Sequence, residues 1–493
     1  MNSPRWSRLQ GRGRGRRWGS PEVAVFLGVL TCLGYPGPLQ GQRTGQRGVG
    51  TGIEEEGIPG PGGRLGEGRD VAPMTLAEAL DLAVLTHPAV AQARAAERAA
   101  AARVSQAGAA RLPWLTGQAS LGVNQEPMVV APIHAFDPMN PPAFDRNLLQ
   151  GALTLGYTVF DGGARGARIR QAEAGEEVEQ VGAVAAEMEV MVQVSAAYLG
   201  VLSGQDILEA AESQRAALES EAARVRLFLD EGKAARVDLL RVEAALSRVE
   251  AAEISARSDL DLAWSRLARL TGWSVEKLQG TTLAAVIVPA GDLPSRDAVL
   301  ASTMETNPDL SRARKLLAGA EAGVSMARAS WFPKVEAGGR YNDFGTLSGG
   351  HVQEWQGLLQ ISYPLFSGGS TSGEREEAAA EERRAAEGLR LTRMRVEDEA
   401  ETALASVVEA QARKEALALA AAQSEEVARI EALALEAGAG VQTDFLGAQA
   451  ELFQARAALA QARHGEILAR IRLAGVRGEL TPDWIEENME VVR

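Results

Sequence analysis

The chain repeats itself once, and this repeat constrains the fold more than any other feature. His87-Pro88 is followed 25 residues later by Pro113, and Asn307-Pro308 is followed 25 residues later by Pro333. An offset of 206 then relates Gly162-Gly163 to Gly368-Gly369, Gly232 to Gly438, Asp238 to Asp444, and Gly272 to Gly478. Ordered landmarks at one shared offset indicate a long tandem duplication. The first half holds 14 extra residues around 124–147, which we expect to form a loop insertion.

Each half is predicted to run helix, strand, strand, long helices. Residues 75–111 are rich in Ala, begin with a capping box from Thr75 to Glu78, and should break at Pro88. After Pro113 and Pro333 the hydrophobic pattern changes to strict alternation, which predicts two strands in each half.

The alternation predicts strands with one apolar and one polar face. The apolar set includes Leu115, Leu121, Leu153, Leu155, Tyr157, Val335, Tyr341, Trp355, Leu359 and Ile361. Aromatic residues near the strand ends, Trp114, Phe160 and Trp355 among them, resemble the interfacial girdles of membrane barrels. A soluble sheet packed on a helical layer would alternate in the same way, so the strands alone leave both interpretations open.

Two very long helical hairpins are expected after the strands. The segment from Asp161 to Asp230 contains no Pro, and 70 helical residues would be roughly 100 Å long. We expect a turn near Gly232 and a return over 236–270, then the same arrangement over 370–436 and up to Val476. Gly162, Gly163, Gly368 and Gly369 would let each strand turn into its helix, with Asp161 and Ser367 as N-caps.

The N-terminus has the pattern of an export signal. Six Arg residues precede an apolar run over 23–34, which is too short to span a bilayer. We predict a signal peptide at 1–42, a flexible linker at 43–73, repeats at 74–280 and 281–480, and a C-terminal tail at 481–493. Cys32, the one cysteine, is a weak match to a lipid-attachment site; the alternative is a leader residue removed on export.

Composition excludes several functions. The formal charge of −14 argues against a nucleic-acid partner, which requires a concentrated basic face. One Cys and four scattered His give no metal-ligand spacing. No catalytic constellation and no cofactor-binding loop appear in the sequence, so we predict no enzyme activity, no cofactor and no metal site.

The number of strands bears on the assembly. Four membrane strands cannot close a barrel, since the smallest spanning barrels have eight. Open edges in lipid leave N–H and C=O groups unsatisfied, which costs several kcal/mol for each group. Several chains must therefore pool their strands, and three copies would supply twelve.

With these features the sequence resembles the TolC family of outer-membrane efflux proteins over about residues 74–480. The resemblance lies in the repeated His/Asn-Pro and Pro113/Pro333 landmarks, the Gly-Gly turns, and the turn segments at 231–240 and 436–446. It implies a homotrimer, a mixed membrane β-barrel plus α-helical barrel with twelve pooled strands, in the cell outer membrane with the helices in the periplasm. It also implies conduction, for efflux or type I secretion, with a periplasmic adaptor (membrane fusion) protein and an inner-membrane transporter as partners. The alternative is a periplasmic adaptor or coiled-coil scaffold without a pore.

The resemblance places the turn segments at the periplasmic tips. Some members have Gly-x-Arg-x₃-Asp-x₂-Asp in the second tip, where this chain has Gly438, Gly440, Asp444 and Gly447. We hypothesise that Asp444 forms an acidic ring at the pore constriction. Adaptor docking is hypothesised for Gly232, Asp238, Leu239, Gly438 and Phe445. The alternatives are that Asp444 and Asp238 cap the returning helices, that the glycines only serve the turns, and that Leu239 and Phe445 pack the hairpins.

Overall fold

The structure, a computed structural model, describes residues 73–134, 138–139, 141–289 and 293–492, all within the compact unit Asp70–Arg493. The predicted signal peptide, Cys32, and the predicted linker up to residue 72 lie outside the described residues.

Each half builds two short helices, two strands and a helical hairpin. The first half comprises α1 Leu76–Thr86, α2 Pro88–Ala109, β1 Trp114–Val129, β2 Phe144–Phe160, α3 Ala164–Asp230 and α4 Arg236–Thr271. The connection between the halves contains α5 Val275–Gln279 and β3 Ala285–Ile287. The second half comprises α6 Arg296–Thr306, α7 Pro308–Ala329, β4 Lys334–Thr346, β5 His351–Ser362, α8 Ser370–Glu436 and α9 Gln442–Arg477. The chain then adds α10 Pro482–Asn488 and β6 Glu490–Val492.

The helix boundaries follow local chemistry. Thr75 and Glu78 form the expected capping box at the start of α1. Pro88 separates α1 from α2, and His87 caps α2 with its ring nitrogen. Asn307 does the same before α7, where its side chain accepts from the Leu310 N–H at 3.1 Å. Proline at the first helical position has no N–H to satisfy, so it starts a new helix instead of continuing the old one.

The four long strands form one antiparallel sheet in the order β1-β2-β4-β5. Among the described residues, β1 and β5 each pair on one side only, so they are the edges of this sheet. The insertion around 124–147 is not all loop as expected. β1 continues to Val129 and β2 begins at Phe144, because pairing resumes at Met128↔Asp145 after a register shift beyond Val123.

The long helices form a layer that, like the sheet, has two edges without a further neighbour among the described residues. α3 packs against α2 and α4 on one side and against α7 and α9 on the other. α8 packs mainly against α7, α9 and α6, at one edge of the layer. The α2–α4 column forms the opposite edge. α8 accordingly buries only Val396, Ala400, Val407, Ala421 and Ala428 along its 67 residues.

The main core lies midway along α3, near the C-terminal ends of α4 and α9, and joins the two halves. α1, α3, α4, α9 and α10 contribute to it, and β6 pairs with β3 beside it. At its centre the Tyr198 hydroxyl lies 2.7 Å from both the Met74 and Ala284 carbonyl oxygens. Burial raises the pKa of this phenol above its usual range, so it stays a neutral donor.

One stretch of α3 meets the length and composition of a membrane-spanning helix. An 18-residue window there has a mean hydropathy of 1.3 and is 44% buried within the chain. Core helices pass the same test, and this part of α3 supplies Val190, Val194 and Val201 to the main core.

Candidate functional site: the amphipathic sheet and the hairpin tips

One face of the sheet is apolar across all four strands. Leu115 pairs with Leu155, which pairs with Gly339, which pairs with Gly357, so these residues form one row. The face comprises Leu115, Leu121, Val123, Leu149, Leu153, Leu155, Tyr157, Tyr341, Trp355, Leu359 and Ile361, each at least 36% exposed. A continuous exposed apolar face of this extent marks an interaction with lipid or protein.

The opposite face of the sheet is mainly polar. A row one residue along consists of Thr116, Thr154, Arg340 and Gln356. The next polar row contains Gln118, Asn342 and Glu354. Because side chains alternate along a strand, these two rows lie opposite the apolar face. The neighbouring row on the same side, Trp114, Gly156, Gly338 and Leu358, is apolar.

The apolar band has a defined upper limit. Val335 and Asp343 lie eight residues apart on β4, which is about 26 Å of strand. At the far end Asp343 pairs with Gln353, and its Oδ1 lies 3.1 Å from the His351 Nδ1. Strands in outer-membrane barrels tilt by about 35–45°, so this length of strand would rise roughly 20 Å along the barrel axis, against an apolar height of roughly 25 Å in such barrels.

Trp114 does not belong to an aromatic girdle on the apolar face, contrary to expectation. It pairs with Gly156, and a Cβ added to Gly156 would lie 2.4 Å from the Trp114 ring. The indole thus covers the glycine on the polar face, because only glycine leaves room for it there.

The strand-to-helix turns use the predicted glycine pairs. Gly162 and Gly163 have φ of 65° and 91°, and Gly368 and Gly369 have 61° and 92°. The N-cap positions are Gly163 and Gly369, not Asp161 and Ser367 as expected. Asp161 still caps α3 from two residues earlier, because its carboxylate accepts from the Gly163 and Arg165 N–H groups at 3.1 and 3.0 Å.

Gly232 and Gly438 sit at the tips of the two helical hairpins, each with φ of 73°. After Gly232, the Lys233 N–H reaches back to the Phe228 carbonyl at 2.7 Å, and after Gly438 the Ala439 N–H bonds the Ala434 carbonyl at 2.9 Å. This pattern ends a helix at a left-handed glycine. Both glycines therefore provide the left-handed backbone of the turns, as the alternative interpretation of these residues predicts.

Asp444 is exposed in the first turn of α9 and does not cap that helix. The N-cap is Val441, without a side-chain hydrogen bond, and the Asp444 carboxylate accepts only from the Thr443 hydroxyl at 3.3 Å among the described groups. Asp238 does not cap α4 either, since the N-cap is Ala235, and Asp238 lies 3.5 Å from Arg241 instead. The capping alternative is wrong for both residues.

Phe445 is buried, which contradicts its expected place on a docking surface. It is 6% exposed and packs against Leu218 and Val249. Leu239 is half-buried against Val242 and its neighbours. Among the apolar residues at the start of α4, Val237 and Leu240 are exposed.

The sequence analysis missed an exposed, uncharged stripe along α4. The α4 stripe consists of Leu240, Ala244, Ser247, Ala251, Ile254, Ser258 and Leu262, all exposed. Their spacing of three and four residues places them on one side of the helix, opposite the buried Val242 and Val249. The signal in the sequence was the absence of charged residues at a helical spacing of three and four, which predicts a face that packs against another surface.

In the part of the chain that the structure describes, no group of three or more His, Cys, Asp or Glu is arranged to hold a metal ion. The buried carboxylates are paired with cations: Glu466 lies 2.6 Å from the Lys414 Nζ, and Glu221 lies 2.8 Å from Arg224. The candidate site therefore consists of the two faces of the sheet, the α4 stripe and the two hairpin tips.

Comparison with known proteins agrees with this geometry. A sequence model of the family described as "Outer membrane efflux protein" matches residues 79–273 and 299–479, one segment in each half. The structure of the outer membrane protein VceC from Vibrio cholerae superposes with a TM-score of 0.68 at 20% identity, over 82% of this chain and 96% of VceC.

Two curated relatives have related sequences. The alkaline protease secretion protein AprF of Pseudomonas aeruginosa is 26% identical over 322 residues, covering 61% of this chain and 64% of AprF. The outer membrane efflux protein BepC of Brucella suis is 23% identical over 309 residues, covering 61% of this chain and 65% of BepC. The match thus spans just under two thirds of the length of each relative.

Proposed function

The chain belongs to the outer membrane efflux protein family, and from this membership we propose that it is one subunit of a trimeric channel through the outer membrane. The observation that carries the proposal is the open sheet, which has an exposed apolar face, a mainly polar opposite face, and edges at β1 and β5 that pair with no further strand among the described residues. Closing it with strands from two further copies satisfies both edges and turns the apolar face to lipid.

Conduction follows from the same geometry. The polar rows that contain Arg340, Gln356 and Glu354 line the lumen of the pooled barrel. The helical layer, open at α8 and at the α2–α4 column, closes in the same way into a tube in the periplasm. Neither surface needs a catalytic group, because the channel is passive.

We infer the partners from the family and the class of cargo from the names of its members. A periplasmic adaptor and an inner-membrane transporter supply the substrate, for efflux or for type I secretion. AprF is named for protease secretion and BepC for efflux. We also propose a leader at 1–42, repeats at 74–280 and 281–480, and Cys32 as a candidate lipid-attachment site.

A scaffold or adaptor without a pore is the less favoured function. Such a protein would be expected to contain one helical hairpin, whereas this chain has two, α3–α4 and α8–α9, and a four-stranded sheet beside them. The exposed apolar sheet face has no role in a soluble scaffold.

Reconstitution tests the proposal directly. Protein extracted from outer membranes into detergent should have the mass of three chains and should produce ion-conducting steps in planar bilayers. Recovery of a monomer in the soluble periplasmic fraction, with no conductance, would exclude the channel.

Within the channel we propose that three copies of Asp444 form the most acidic point of the second tips. Its carboxylate is exposed, and it is the only charged side chain between Glu436 and Glu451. A ring of such carboxylates favours cations through its local potential.

Asp444→Asn should lower the cation-to-anion permeability ratio, measured as the reversal potential under a KCl gradient. Asp238→Asn is the matched control, because that residue occupies the same place in the first tip but lies beside Arg241. An unchanged ratio in Asp444→Asn channels would remove the acidic ring from the proposal and leave the channel intact.

A further inference from the structure

One contact inside the chain offers a template for a contact between chains. Within the chain, α3 of the first half packs against α7 and α9 of the second. The duplication gives every α3 residue a counterpart in α8, 206 positions later, and every α9 residue a counterpart in α4, 206 positions earlier. Residues of α7 correspond to α2 residues 220 positions earlier, since the first half carries the insertion. The paired helices have equal lengths: 67 residues for α3 and α8, 36 for α4 and α9, and 22 for α2 and α7.

The counterpart surfaces are the two open edges of the helical layer. The α4 stripe corresponds to the side of α9 that faces α3: Ser258 matches His464, whose Nε2 lies 3.0 Å from Asp206 of α3, and Ile254 matches the buried Ala460. On α8 the exposed face is equally poor in charge, consisting of Val408, Ala412, Ala416, Leu419, Gln423, Val427 and Ile430. Each edge thus exposes a stripe of uncharged residues that can pack against the stripe on the other edge.

We infer that two ion pairs particular to this chain, Glu377 with Arg103 and Asp398 with Arg269, fix the register in which α8 of one copy docks on α2 and α4 of the next. In this register α8 takes the place on α2 and α4 that α3 takes on α7 and α9 within the chain. The occupant of the α4 stripe is therefore a second copy of this chain. The inference rests on the proposed trimeric channel and adds the residues that fix the register between its subunits.

Charge complementarity supports the register near the sheet. In the template, the Gln171 Nε2 lies 3.6 Å from the position that a Cβ on Gly323 would occupy. The counterparts of these two residues are Glu377 on α8 and Arg103 on α2. Glutamate has the same length as glutamine, so the docked Glu377 carboxylate meets the Arg103 side chain.

A second pair of opposite charges lies further along the helices. In the template, the Val192 Cγ2 lies 3.3 Å from the Cβ position of Gly475. The counterparts are Asp398 on α8 and Arg269 on α4. All four charged residues, Glu377, Arg103, Asp398 and Arg269, are exposed, and none has an ion-pair partner within the described chain.

The two versions of the contact place their charges at different positions. In the contact of α3 with α7 and α9, Glu177 forms an ion pair with Lys315 at 2.9 Å, and the Asp206 carboxylate lies 3.0 Å from the His464 Nε2. The counterparts of these four residues include Ala95, Ala412 and Ser258, which carry no charge. If α3 docked on α2 and α4 of another copy, Glu177 would face Ala95 and Asp206 would face Ser258, and both carboxylates would lose their partners. The charges therefore distinguish the contact between copies from the contact within the chain.

Charge exchange tests the register with a control of identical composition. Arg103→Glu and Glu377→Arg should each lower the trimer association constant by about tenfold or more, because each places like charges together. The matched double variant, Arg103→Glu with Glu377→Arg, should restore association. The mismatched double variant, Arg103→Glu with Asp398→Arg, changes as many charges and should not. Native mass spectrometry of detergent extracts measures the trimer fraction over a dilution series.

A disulfide gives a second readout that does not depend on stability. The template separation suits a bond between Asp398→Cys and Arg269→Cys of neighbouring copies. Ser258→Cys in place of Arg269→Cys is the control, because it lies eleven residues away, about 16 Å along α4. Oxidation should produce a covalent trimer ladder for the first pair and not for the control, and single-cysteine variants report any bond to Cys32.

The outcomes separate this inference from the channel itself. If the unsubstituted protein is a conducting trimer while matched and mismatched doubles behave alike, or the 398–269 pair fails to crosslink, the inferred register is wrong and the channel stands. If the unsubstituted protein neither conducts nor forms trimers, the proposed function fails first, and the interface fails with it.

Discussion

At the scale of single residues, glycine decides where the chain changes direction. The turns at Gly162, Gly232 and Gly438 need left-handed backbone that other residues adopt only at a cost of about 1–2 kcal/mol. The second tip imposes a further demand at Gly440, where a Cβ would lie 2.7 Å from the Leu435 backbone nitrogen. The first tip has Ala234 at the corresponding position, so the second turn is the tighter one.

Gly440→Ala should loosen the second tip. The added methyl group must displace backbone and not a flexible side chain, so we expect a loss of about 1–3 kcal/mol in local stability. Mass spectrometry after brief digestion with a non-specific protease measures the cleavage rate over 437–443, which should rise.

Gly447→Ala is the matched control for this change. Gly447 lies inside α9 with open space around its Cβ position, so Ala should leave the cleavage rate unchanged or lower it. Equal effects at both positions would contradict the steric argument for Gly440.

At the scale of elements, the register of the sheet assigns every strand residue to one of two environments. Neighbouring positions on β2 illustrate this: Leu155 lies in the centre of the apolar band, and Thr154 lies in a polar row between Thr116 and Arg340. The same alternation would hold in any two-sided sheet. Exposure of the apolar side is what distinguishes this sheet from a soluble one.

Leu155→Arg should impair assembly much more than Thr154→Arg. An arginine facing lipid near the bilayer midplane costs roughly 2–4 kcal/mol, whereas one in a water-filled lumen costs little. The yield of heat-resistant trimer in outer-membrane fractions measures the difference. Normal assembly of the Leu155→Arg protein would count against a lipid-facing band.

At the scale of the whole molecule, the C-terminal segment closes a core that both halves build. Ile485 of α10 and Met489 are buried with Leu76 and Leu80 of the first half and Ile471 of the second. β6 adds to β3, the strand between the halves. The predicted tail at 481–493 thus takes part in the folded unit through its described residues.

Ile485→Ala should lower the stability of the assembled protein by about 2–5 kcal/mol, since it leaves a cavity in this core. Glu487→Ala is the control, because Glu487 is exposed on the same short helix. Thermal dissociation of detergent-solubilised trimers, followed by gel mobility, compares the two. Similar dissociation temperatures would mean that the segment is peripheral.

The sequence by itself determined the duplication, the strand pairs and the hairpin lengths. Proline, glycine and alternating residues act locally, so α8 was predicted at 370–436 and is observed at Ser370–Glu436. The family followed from the same ordered landmarks and is confirmed.

Only the tertiary structure decided which residues near those landmarks are exposed and which are buried. Burial of Phe445 and the position of the Trp114 indole over Gly156 both depend on contacts between segments far apart in sequence. The opposite edges at α8 and α4 likewise depend on the order in which helices pack. Local periodicity fixes an element and its faces, but the partner of each face is set by long-range packing that no single segment encodes.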